Sequence, residues 1–382
     1  MLPASLCAKI MVFRRITRII EVVLNERAVR KGREKLMNVL PDRKNVLYLQ
    51  QHAYPASRKN SALRVSFLFY IPMATNKIPY PKHLISFTDQ INLLKQRGMV
   101  FGNEPKALHL LQNISYYRLS GYWYPLLADK RQHIFKPGST FETAYNIYKF
   151  DSELRKLIIA EIEKIEIAVR TQTAYILSSQ HDAYWFEDSS LFSNPVRHAK
   201  LLSKIDEEYS RSDEEFIKAF KSKYSNHFPP SWITMEITSF GTLSILYENL
   251  LPGKIKRSIA AYFGLADKVF ASWLHSVVYV RNICAHHSRL WNKTLSIRPL
   301  MPRSPRNTFI KLPANGTPQV YFILSMIIYL LNTINPNHTF VSRFKALLSR
   351  YPSIDVRAMG FRKIGRPRAS GKTECEIRLS IA

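Results

Sequence analysis

Acidic residues are scarce in this chain of 382 residues: 28 Asp and Glu stand against 56 Lys and Arg, a net charge of +28. That deficit predicts attraction to a polyanion, with nucleic acid the first candidate. Cysteine is nearly absent. Cys7, Cys284 and Cys375 are far apart and odd in number, which argues against a disulfide framework and for a reducing cytosol. Membrane-spanning runs are missing too: Val320 to Leu331 is nearly all apolar, but falls well short of the roughly 20 residues that a bilayer needs, so it reads as a buried helix. Val65–Ile71 is short, apolar and far from Met1, unlike a signal peptide. Neither membrane nor cofactor is expected, and the cytoplasm is the default address.

What is present is a concentration of chemistry from Val280 to Asn292. The stretch from Leu265 leads into it, with Asp267 reading as an N-cap and Phe270, Trp273, Leu274, Val277, Val278, Cys284 and Ala285 falling at the spacing of a buried helix face. At about 100° per residue, Asn282, His286 and Arg289 form a second, polar stripe. Arg281 borders the apolar face, where its stem can lie on greasy surface while the guanidinium reaches the polar side. Arg281, Asn282 and His286 can thus converge on one anion.

Metal-free RNA cleavage requires a base for the ribose 2′-OH, an acid for the leaving 5′ oxygen, and a cation where charge builds on phosphorus. Histidine can serve in either proton transfer, and arginine is a permanently charged fork suited to phosphate oxygens. Asn282 can hold a phosphate oxygen or fix the imidazole tautomer. With one acid-base pair per copy, two copies across a two-fold axis would complete a site. The same Arg-Asn pair can instead cap helix carbonyls or bridge to a carboxylate. His287 lies roughly 100° round from His286 and competes with it as the working imidazole. Cys284-x-His286-His287 lacks a second ligand pair, His275 being two to three turns away, so no metal is expected.

Arg281-Asn282-x-x-x-His286 resembles the R-N-x-x-x-H signature of HEPN-type ribonucleases, and the longer R-N-x-C-A-H-H-x-R-L-W-N string is similar to bacterial abortive-infection proteins of the AbiD/AbiF type. The likeness extends to Tyr116-Tyr117-Arg118-Leu119-Ser120-Gly121-Tyr122-Trp123-Tyr124-Pro125, to F-D-x-x-L-R at Phe150–Arg155, to I-E-x-I-E-I-x-x-R at Ile162–Arg170 and to Trp232–Leu243, covering roughly 77–361. It implies an all-α, HEPN-like helical bundle that cuts RNA without metal at a homodimer interface and defends against phage. Arg281, Asn282 and His286 would be catalytic, with His287, Arg289, Trp291, Asn292 and Arg118 binding RNA or supporting the site. The rival readings are a non-catalytic RNA-binding or antitoxin-like module, and a DNA-binding regulator working through basic ends. A regulatory partner would be separate and is not named by the residues.

Three regions are expected. Residues 1–72 are a basic, poorly ordered extension upstream of Met73, 73–360 the helical domain, and 361–382 a basic tail in which Gly365-Arg366-Pro367-Arg368 resembles a minor-groove hook. More than half of the net charge lies in residues 1–72 and 343–382. Within the domain, Ser86–Asp89 resembles a capping box opening a helix with Phe87, Ile91 and Leu94 inward, closed by Gly98. One helix is expected from about Glu104 to Leu119, a turn at His133–Gly138, and a long helix through Phe150–Leu177 with a continuous apolar seam. Glu163, Glu166 and Arg170 read as a structural charge network, residues 181–230 as an acidic insertion or flap, and Ser239–Gly241 as a helix break.

Overall fold

A computed structural model describes residues 80–307, 309 and 319–361 of the chain. The expectations for residues 1–72, and for the tail beyond Phe361, lie outside the described residues. Everything below belongs to the compact unit that begins at His83.

The architecture is all-α, with one two-stranded hairpin. Ser86 caps α1 (Phe87–Gln96), its hydroxyl accepting from the Asp89 amide at 3.1 Å. Ile91 and Leu94 are buried, whereas Phe87 remains exposed. The helix expected over 104–119 is two helices, α2 (Glu104–Ile114) and α3 (Tyr116–Trp123), because Ser115 takes φ 73° between them and its side chain caps the second. The expected turn at 133–138 is part of a short antiparallel hairpin, β1 (Leu127–Asp129) with β2 (Ile134–Phe135), Leu127 facing Phe135. Leu94, Leu111, Leu119, Trp123 and Phe141 form a small core beneath these elements.

The axis of this unit is α4 (Phe141–Gln180), 40 residues long and hence roughly 60 Å at 1.5 Å per residue. Thr140 caps it, and Leu154, Ile158, Ile162, Ile165, Val169 and Leu177 repeat at helical period without exposure. Its first turn packs in the small core and the remainder in a second, larger one. There α11 (Val320–Ile334) lies against it, buried from Phe322 to Leu331. A helix apolar on all sides belongs in an interior, and among the described residues no helix is long and apolar enough to cross a membrane. Beside α4 runs α12 (Phe340–Arg350), tied to it by Arg343 with Glu161 and by Arg350 with Glu153 at 2.6 Å. Phe361 stacks on Phe344 and is buried.

The stretch expected to be an acidic flap is an integral layer instead. Within α5 (Pro195–Ser210), His198, Leu201 and Ile205 are buried, and α6 (Glu215–Lys223) adds Ile217 and Phe220. Glu208 is buried as well. It accepts from the Ser239 amide (3.1 Å) and the Thr242 hydroxyl (3.3 Å), compensating the positive end of α8 (Phe240–Asn249). The chain does break before α8: α7 (Ser231–Ile237) stops where the Arg170 guanidinium meets the carbonyls of Met235 and Thr238 while pairing with Glu166. Glu163 is exposed and takes no part in that pairing. Finally, α9 (Lys254–Tyr262) leads into α10 (Asp267–Ala285), which packs on α4, α8 and α9.

Candidate functional site at the end of helix α10

Ala266, not Asp267, is the N-cap of α10; Asp267 is its first helical residue, where a carboxylate complements the helix dipole. Phe270, Trp273, Leu274, Val277, Val280, Ile283 and Cys284 are buried on one face. The opposite stripe carries Lys268, His275 and Asn282, all exposed, with Arg281 half-buried at its margin. Arg281 Nη1 lies 3.3 Å from Asn282 Oδ1, so the guanidinium and the amide do meet.

The expected stripe of Asn282, His286 and Arg289 does not extend along one helix, because α10 stops at Ala285. His286 is its C-cap and His287 adopts φ 55°. The Ser288 amide then bonds the Ile283 carbonyl at 2.9 Å, and the His287 amide bonds that of Cys284 at 3.1 Å. This is a Schellman closure with histidine in the left-handed position where glycine is usual. Arg289 is thereby carried off the helix. Its guanidinium donates to the Gly121 carbonyl of α3, lying where Gly121 has no side chain. Arg118, also on α3, donates to the His287 carbonyl at 2.8 Å.

A buried carboxylate finishes the clamp. Asp151 of α4 accepts from the Leu290 amide (3.2 Å), the Trp291 amide (2.7 Å), the Tyr122 hydroxyl (2.8 Å) and Arg155. Burial pushes the Asp151 carboxyl upward in pKa; Arg155 and the other donors oppose that shift. The Tyr122 phenol is raised by burial and then by Asp151, so it stays protonated as a donor. Burial pushes the neighbouring Cys284 thiol up to about 12, keeping it neutral.

Of the residues singled out from sequence, Asn282, His286 and His287 are exposed, Arg281, Arg289 and Asn292 half-buried, and Trp291 buried in the large core. Trp291 therefore supports the turn from beneath and is closed to RNA bases. Among the described residues neither the His286 nor the His287 imidazole has a hydrogen-bond partner, and no three His, Cys, Asp or Glu side chains gather as a metal would require. No acidic residue occurs between Asp267 and Asp355, so the turn projects from an acid-free length of chain. A cavity of about 500 Å³ between α4 and α7 is lined by Arg170, Tyr175 and Trp232 and includes none of these residues.

Asp151, Arg155 and Tyr122 carry the clamp, yet sequence reasoning assigned them no role. Their signal is an Asp and an Arg four residues apart inside the apolar seam of a long helix, where an unpaired charge would be untenable.

Comparison with known families matches residues 109–292 to a family described as Abi-like protein. The match begins within α2 and ends at Asn292, so it holds α3, the first F-D-x-x-L-R of α4 and the whole α10 turn. No curated protein and no solved structure matches the chain.

Proposed function

We propose, from the premise that this chain is Abi-like over residues 109–292, that it is a metal-independent endoribonuclease acting in abortive infection against phage. The family supports the defence role. The nuclease reading rests on one observation above others: Asn282 and His286 are exposed, and Arg281 half-buried against Asn282, at one helix end that tertiary contacts hold in place. One imidazole removes the ribose 2′-OH proton as O2′ bonds to phosphorus. The P–O5′ bond breaks and the leaving oxygen takes a proton from a second acid, leaving a 2′,3′-cyclic phosphate and a 5′-hydroxyl. Arg281 neutralises the charge that builds on the phosphoryl oxygens, and Asn282 positions one of them. Among the described residues no third group bonds the His286 ring, and one copy offers one acid-base pair; a second copy across a two-fold axis supplies the remaining acid-base group in this reading.

His286→Ala should lower RNA cleavage about 10²–10⁴-fold, and Arg281→Ala about 10²–10³-fold, with thermal unfolding of both variants close to that of the parent. The assay is run in chelator with end-group analysis of the products. Cleavage seen only with added divalent metal, or 3′-hydroxyl ends, would remove this mechanism. The lack of a ring-orienting partner equally favours a module that holds RNA without cutting it. In that case His286→Ala leaves RNA integrity and cell growth unchanged on induction.

A further inference from the structure

The face of α3 beside the clamp is not accounted for by the cleavage chemistry. Tyr117 and Tyr124 are seven residues apart on helical backbone, hence on one side and roughly 10 Å apart at 1.5 Å per residue. Tyr117 is 89% exposed and Tyr124 45%, while their neighbours Leu119, Tyr122 and Trp123 are buried. Between them in the helix lies Gly121, whose carbonyl accepts from Arg289, so a guanidinium is fixed on the same short helix as the two tyrosines. Lys130 Nζ sits 5.1 Å from the Tyr124 ring centroid. Arg118, next to Tyr117, is bonded to the His287 carbonyl, which joins this row directly to the α10 turn. No acidic residue occurs between Glu104 and Asp129, so α3 itself contributes only positive charge to the row.

We infer that this row is the track for an unpaired RNA strand running to or from the α10 turn, with bases stacked on Tyr117 and Tyr124 and Arg289 on one of the phosphates that link them. The inference rests on the ribonuclease reading for its direction and adds the substrate class: single-stranded rather than duplex RNA. Open rings alternating with fixed cations suit flexible strands, because every base has a face to stack while a duplex hides its bases. The spacing of the rings corresponds to about three nucleotide steps at roughly 3.4 Å each.

The test uses the full chain and a fluorescent, unstructured 2′-O-methyl RNA oligonucleotide, which has no 2′-OH to attack and survives mixing with active protein. Tyr117→Ala and Tyr124→Ala should each raise Kd roughly five- to a hundredfold. Tyr117→Phe and Tyr124→Phe should bind as the parent does, since the ring is kept. Inorganic polyphosphate should bind equally to all five proteins. Alanine variants that bind the strand normally, or that lose polyphosphate in equal measure, would overturn the track, as would a parent that holds the same sequence as tightly in duplex form. Cleavage of ordinary RNA, measured in parallel, separates the two readings: weakened strand binding by Tyr117→Ala beside an inert His286→Ala substitution sinks the nuclease and leaves the track standing.

Discussion

Helices α1 and α10 close with the same pair of backbone hydrogen bonds, yet the left-handed residue is Gly98 (φ 90°) in one and His287 (φ 55°) in the other. Glycine adopts that conformation freely, whereas a residue with a Cβ costs about 1–2 kcal/mol there. At α1 the turn needs little beyond its own backbone. At α10 the turn is gripped from outside, by Arg118 at the His287 carbonyl and by Asp151 at the Leu290 and Trp291 amides. The difference teaches that the second closure is held by tertiary contacts. It places an imidazole at a position where local preference alone would place none.

The contrast can be broken most forcefully at Asp151. Asp151→Ala strands the buried Arg155 and two buried amides, and should cost about 3–5 kcal/mol in urea unfolding. Amide exchange at Leu290 and Trp291 should quicken relative to Gly98 and Met99. An unchanged unfolding midpoint would show that the carboxylate does not hold the turn.

Alkaline pH attacks the same end of α10 through Cys284. The folded thiol titrates near 12 against an ordinary value of 9.0, so its contribution to stability is complete below about pH 9 and is lost as pH rises through 12. Cys284→Ala should flatten that alkaline decline, and in the parent at pH 8 peptide mapping after alkylation should find Cys284 unmodified. Ready alkylation of the folded protein would contradict this.

Arg118→Ala, which removes one charge-assisted bond at an exposed site, should cost about 1 kcal/mol. It should also lower cleavage by loosening the imidazoles. A variant equal to the parent in both would make Arg118 a bystander.

The exchange of the two closing residues sharpens the comparison at the smallest scale. His287→Gly should stabilise by about 1 kcal/mol and Gly98→His should destabilise by a similar amount. If His287→Gly keeps full cleavage, His286 is the working imidazole; if cleavage falls while stability rises, the His287 ring itself takes part.

Much of this was readable beforehand. The seam of α4, the buried α11, the Ser86 cap and the Gly98 stop follow from periodicity and local hydrogen bonding, which act within a few residues. The meeting of Arg281 with Asn282 was equally plain, since the two are chain neighbours. What escaped was wherever the chain contradicts its local rule. Ser115 splits an apparently continuous helix. His287 ends α10 early, so Arg289 leaves the polar stripe for α3. The acidic run of 181–230 hides buried positions such as Glu208, whose partners lie about thirty residues further on.

The residues alone determined a helical, strongly basic chain with arginine, asparagine and histidine close together in sequence near the end of one helix, because composition and 3.6-residue periodicity are properties of neighbours. Only tertiary structure decided that the two histidines sit on a left-handed turn, clamped by Arg118 from one helix and Asp151 from another. Those contacts join positions more than a hundred residues apart, and it is their free energy, not local preference, that offsets the cost of the turn.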